Sequence, residues 1–142
     1  MRKLLLMMVA VMTASLTFAQ KIQERDVPNL VMAAFQQEYP KAKETKWEME
    51  SPNYEAEFEM EEVEYSVLID ASGNLLDTEA EISIDALPSN VKEYVSKNYS
   101  GLKIKEAGRI TDANGTVSYE AEVKGKDLLF DSNGKFVKEE IE

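Results

Sequence analysis

The chain contains no cysteine and no histidine. Without cysteine there is no disulfide to close a loop and no thiolate nucleophile. Without histidine there is no imidazole general base, no histidine-based triad and no ordinary zinc or copper site. A phosphate-cradling glycine-rich loop and a dinucleotide fingerprint are also missing. Carboxylates, hydroxyls, tyrosines and lysines remain. Paired carboxylates can hydrolyse glycosides, but only from a cleft that raises one acid. No triad, dyad or metal constellation stands out among the remaining types, so neither enzymatic activity nor a cofactor is expected.

Long hydrophobic runs are scarce as well. The one present opens the chain: Arg2 and Lys3, then the unbroken run Leu4 to Val11, then Thr17-Phe18-Ala19 ahead of Gln20. Basic start, short apolar centre and small residues at a cut site are the layout of a secretory signal peptide. The run is shorter than the ~20 residues a membrane span needs. Residues 1–19 are therefore expected to be cleaved, leaving a periplasmic or secreted protein with no membrane attachment. No cysteine follows that could carry a lipid.

Positive charge is in short supply. Lys and Arg number 16 against 27 Asp and Glu, a net charge of −11. Losing Arg2 and Lys3 takes it to −13. Such a surface repels nucleic acid and anionic lipid. It suits a protein partner with a basic patch or a divalent cation, and it also simply keeps a small exported protein soluble.

What the chain does have is a repeat. Val27-Pro28-Asn29 opens one segment and Leu87-Pro88-Ser89 another. Tyr54-Glu55-Ala56-Glu57-Phe58 returns as Tyr119-Glu120-Ala121-Glu122-Val123. Ile69-Asp70-Ala71-Ser72-Gly73-Asn74-Leu75 returns as Phe130-Asp131-Ser132-Asn133-Gly134-Lys135-Phe136. A repeated unit of this size completes its core against neighbouring structure. The expected division is a signal peptide at 1–19, a linker at 20–26, a first repeat at 27–82 and a second at 83–142, the two repeats forming one domain.

Each repeat begins with a helix. Pro28 and Pro88 suit a first turn, with Asn29 and Ser89 placed to cap it. Val27, Val31, Ala34, Phe35 and Tyr39 recur at helical spacing, as do Leu87, Val91, Tyr94, Val95 and Tyr99. The helices stop at Pro40 and at Ser100-Gly101. The period then switches to two. Trp47 and Met49, then Tyr54, Ala56 and Phe58, then Tyr65, Val67 and Ile69 fall on one face, and Leu76, Thr78, Ala80 and Ile82 share a face of the next strand. In the second repeat strands are expected near Lys103–Ile110, Val117–Lys124, Asp127–Asp131 and Lys135–Ile141. The turns starting at Asp70, Asp112 and Asp131 share one form, an Asp that accepts backbone N–H groups and a Gly that takes positive φ. They resemble part of a calcium loop but lack its later ligands. The expected fold is α+β: a tandem repeat of one helix plus a four-stranded antiparallel meander, with the helices on one face of the sheet.

Alternation puts Glu55, Glu57, Glu59, Glu120 and Glu122 on the face away from the helices. There the acids are expected to be solvated, with ordinary acidity. Leu68 and Leu129 fall on the same face at matching places in the two copies. Leucines among exposed glutamates would be anchors for a partner. These seven residues are the candidate partner-binding face.

Leu87-Pro88-Ser89 with Val91 and Tyr99, the Tyr119–Val123 strand and the Asp131–Gly134 turn, with their first-repeat counterparts, resemble the β-lactamase-inhibitor-like, PepSY-like family of Bacteroidetes. The resemblance spans nearly all of the chain after residue 19. It implies a tandem α+β fold whose sheet face is available for binding, as in inhibitors that grip an enzyme. It supplies no inhibitory residue, because no inhibitor loop motif matches. The expected function is a non-enzymatic secreted or periplasmic protein-binding module, with inhibition of a hydrolase as its specific form. The alternative is a small acidic envelope protein that binds a divalent cation or ligand. Neither the partner nor the oligomeric state can be read from these residues.

Overall fold

The computed structural model describes residues 19–141, so the expected leader lies almost wholly outside them. The chain divides into two units, one up to Thr78 and one from Glu79. In the first, β1 (Gln20–Ile22) precedes α1 (Asn29–Glu38), followed by β2 (Lys43–Glu50), β3 (Asn53–Met60), β4 (Val63–Ile69) and the start of β5 (Leu75–Ile82). The second holds the end of β5, then α2 (Ser89–Asn98), β6 (Glu106–Asp112), β7 (Val117–Val123), β8 (Lys126–Phe130) and β9 (Phe136–Ile141). Within each unit the strands lie side by side in chain order. The registered pairs are antiparallel. No helix among the described residues is long and apolar enough to cross a membrane.

Three sequence expectations need correction. Residues 20–26 do not form a linker. Gln20, Lys21 and Ile22 pair with Met49, Glu48 and Trp47, and Glu24–Asp26 make a 3-10 turn. Three residues are too few to display a period, which hides β1 from pattern reading. The boundary between units falls inside β5, four residues before the end of the expected first repeat. Lastly, Asn29 and Ser89 do not cap their helices. They sit inside the first turn, and the proline before each takes the cap position without a side-chain bond.

Each helix buries one stripe on its own strands. In the first unit Val31 and Phe35 pack with Val27, Trp47, Ala56, Phe58, Val67 and Ile69. Phe35 lies edge-on to Trp47 and Phe58 at 5.1 Å each, and Phe58 stacks on Tyr65 at 5.5 Å. In the second unit Val91 and Val95 pack with Leu87, Ala107, Ala121, Val123, Leu128 and Phe130. Tyr39, Tyr65, Tyr99 and Tyr119 are only half-buried. For two of them the reason is visible, since a tyrosine hydroxyl needs a polar partner. Tyr39 Oη lies 3.2 Å from Thr78 Oγ1, and Tyr99 donates to Glu139.

The first repeat has four more residues between Phe58 and Asp70 than the second has between Val123 and Asp131, and they lengthen the β3–β4 hairpin. Met60 pairs with Val63 across a two-residue turn, Glu61-Glu62, both at positive φ. The Asp turns behave as read. Asp70 Oδ1 accepts from the backbone N–H of Ser72 and Asn74, Asp112 from Asn114 and Thr116, and Asp131 from Asn133 and Lys135. Each carboxylate is thus used to hold its own turn.

Candidate functional site

In each unit the acids fall on the strand face away from that unit's helix, but this is not the solvated surface that alternation suggests. Glu55 and Leu68 are 1% and 0% exposed, and Glu120 and Leu129 are 6% each. Glu57, Glu59 and Glu122 are half-buried. The parity itself holds. Neither leucine belongs to a helix-side core, whereas their neighbours Val67, Ile69, Leu128 and Phe130 do. Leu68 stands directly opposite Glu55, and Leu129 opposite Glu120 and Lys138. Side chains so paired are ~5 Å apart at Cβ, close enough for acid stems to lie along leucine. A period of two assigns a face; it does not say how deep that face lies. Leu68 and Leu129 therefore cannot be surface anchors as expected.

Burial changes the chemistry of the acids. Desolvation raises the Glu55 carboxyl to about 9, with Glu50 as the next cause. Glu50 is also raised, by its own burial first. Ser66 donates its hydroxyl to Glu55 Oε1 at 2.6 Å, whereas Oε2 has no partner. In the second unit burial raises Glu79 to about 8, with Asp127 adding repulsion. Glu120 rises to about 10, by burial and then by Glu79, Asp127, Glu140 and Glu122. The expectation of ordinary acidity is overturned for Glu55 and Glu120, which with Glu79 hold protons at neutral pH.

Glu79 was not singled out by the sequence. It lies on β5, is fully buried, and has no partner for either carboxyl oxygen. Its carboxyl occupies the space above Gly108, where an added Cβ would stand 2.3 Å from Oε1. Gly108 pairs with Glu120. A lone glycine inside the β6 strand was the available signal, because such a glycine marks close approach by another group. The repeats therefore place a buried glutamate at the same point, Glu55 and Glu120, in different surroundings. Among the described residues no group of three or more acids is arranged to hold a metal ion.

The comparisons meet this geometry at the level of the family. The model of the family described as "Putative beta-lactamase-inhibitor-like, PepSY-like" matches residues 16–77 and again 70–138. The chain belongs to that family. Two matches in tandem agree with the repeat seen in the residues. Among solved structures, a BLIP-like protein from Bacteroides fragilis is 26% identical, covering 80% of this chain and 86% of its own, with a TM-score of 0.62. A protein from Bacteroides eggerthii, described as a putative periplasmic protein, is 16% identical over 81% of this chain and 88% of its own, with a TM-score of 0.71. The second likeness is one of fold alone. No curated protein matches the chain.

Proposed function

We propose that this member of the family is an exported, non-enzymatic protein-binding module that meets its partner on the strand face that a unit turns away from its own helix. The observation that carries this reading is the repeated acid at Glu55 and Glu120, kept on that face in both copies within an inhibitor-like family. Export is supported by the leader-like residues 1–19 and by the periplasmic description of the Bacteroides eggerthii relative. A non-enzymatic role is supported by the direction of the pKa shifts. Glu55, Glu79 and Glu120 are all raised, so the groups do not divide into an acid and a base as a carboxylate catalyst requires.

The half-buried Glu57, Glu59 and Glu122 are the residues of the expected face left within reach of a partner. Charges at a rim chiefly speed association and make it salt-sensitive. The test is affinity capture from the native envelope, followed by binding of the captured protein to a Glu57→Lys, Glu59→Lys, Glu122→Lys variant. A rate of association reduced by tenfold or more at low salt supports the reading. Unchanged kinetics with a folded variant would move the site off this face.

A further inference from the structure

On its helix side the first unit carries an open cleft of about 530 Å3, between the last turn of α1, β2 and the 3-10 turn at Glu24–Asp26. Phe35 and Trp47 form its floor, edge-on to each other at 5.1 Å, and the half-buried Met32 and Tyr39 stand beside them. Tyr39 is held in place through its hydroxyl, which meets Thr78 Oγ1. Thr45 and the exposed Glu24 make the rim. An apolar floor with a few polar groups above it, in a volume of roughly 300–1,000 Å3, is the make-up of a small-molecule site. Among the described residues that line this cleft, Glu24 alone carries charge. Lys43 and Lys46 of β2 stand opposite Glu59 and Glu57, on the strand face away from the helix, and Lys41 is met by Glu61 at 3.9 Å. Arg25, beside Glu24 in the chain, does not line the cleft. The last turn of α1 holds no basic side chain, so the negative end of the helix dipole adds to the effect of Glu24, whereas α2 has Lys97 at its end.

We propose that this cleft binds a small organic cation, a positively charged nitrogen on an apolar body, with the body against Phe35, Tyr39 and Trp47 and the charge towards Glu24. The site goes beyond the protein-binding reading, which concerns the opposite face of the strands. Aromatic rings attract a cation through their quadrupole as well as covering its carbon, and Glu24 supplies the opposite charge. The same carboxylate disfavours an anion. The second repeat serves as an internal comparison. Pro28 and Tyr39 correspond to Pro88 and Tyr99, and on that alignment Phe35 gives way to Val95 and Trp47 to Ala107. Glu24 gives way to Ile84, Met32 to Lys92 and Thr45 to Lys105. One scaffold thus carries aromatic rings and an acid in one copy, and small aliphatic residues and two lysines at the same places in the other. The aromatic floor is therefore not a requirement of packing a helix on these strands, since Val95 and Ala107 serve that purpose in the second core.

The test uses the whole exported chain and the fluorescence of Trp47, the lone tryptophan, which lies in the cleft floor. Three probes share one skeleton: phenethylamine is a cation at pH 7, 2-phenylethanol is neutral and phenylacetate is an anion. Phenethylamine should change the emission saturably and bind about tenfold or more tightly than phenylacetate, with 2-phenylethanol between them. Glu24→Gln should weaken phenethylamine by up to about fivefold, the span of an exposed charge pair, and leave 2-phenylethanol unchanged. Met32→Lys, which installs the residue of the second repeat, should weaken phenethylamine about tenfold or more through like-charge repulsion. Glu24 is exposed and Met32 half-buried, so both variants should fold, and the three probes on the unaltered chain decide the question should either fail to. No saturable change with phenethylamine, equal binding of phenylacetate or 2-phenylethanol, or full phenethylamine affinity in both folded variants would overturn the site. None of these results bears on the captured partner and its rim kinetics.

Discussion

Replacing Glu55 with glutamine should make the protein more stable at pH 8 and leave it nearly unchanged at pH 5. Glu55 is buried, and its carboxyl is raised to about 9 from an ordinary value of 4.5. The folded chain therefore holds a proton that the unfolded chain gives up. Stability from this group is full below the ordinary value and is lost as pH climbs towards 9. Each pH unit in that window costs about 1.4 kcal/mol, so the span from pH 5 to pH 8 costs at most about 4 kcal/mol. Glu50 shares the burden, and the observed figure should fall below that ceiling. Glutamine keeps the shape of the neutral acid and can still accept from the Ser66 hydroxyl. Urea unfolding followed by the fluorescence of the lone tryptophan, Trp47, reads both variants across pH. The expected gain for Glu55→Gln at pH 8 is roughly 2–4 kcal/mol, against a domain stability of ~5–15 kcal/mol. A variant equally destabilised at both pH values, or a native protein of flat stability from pH 5 to pH 9, would refute a neutral buried carboxyl.

Trp47→Ala or Phe58→Ala should cost ~3–5 kcal/mol by urea denaturation, since each is buried and meets Phe35 edge-on. Gly108→Ala should cost ~1–3 kcal/mol because the new methyl meets Glu79 Oε1, and most of that loss should vanish in a Glu79→Ala background, as a double-mutant cycle would show. Glu61→Asn with Glu62→Gly should raise the thermal midpoint, a gain of about 1 kcal/mol, because both positions take the positive φ that asparagine and glycine tolerate.

The parts of the fold that pattern reading captured are those written at a fixed period over many residues. Val31 and Phe35, Val91 and Val95, and the alternating strands from Trp47 to Ile69 all face the helix side as their spacing requires. The Asp–Gly turns were readable because their mechanism is local. Short or irregular features were not. β1 is three residues long, and the positive φ of Glu44 accompanies a register shift in β2 that no glycine announces. The deepest miss concerned the acids. Charged residues are almost never fully buried unless paired, and that expectation placed Glu55 and Glu120 in water. Their cross-strand partners Leu68 and Leu129 pointed the other way: leucine repeated on a supposedly wet face is evidence that the face is not wet. Glu79 had no such companion in the sequence, and only the glycine it covers, Gly108 on the next strand, marks its place.

On this reading a partner protein meets the strand face that a unit turns away from its own helix. Hydrogen exchange and NMR shift mapping of the captured complex test it most directly. The predicted result is protection and shift changes at Glu57, Glu59 and Glu122, with α1 and α2 unchanged. Changes confined to the exposed sides of the helices, with the strand face silent, would contradict it.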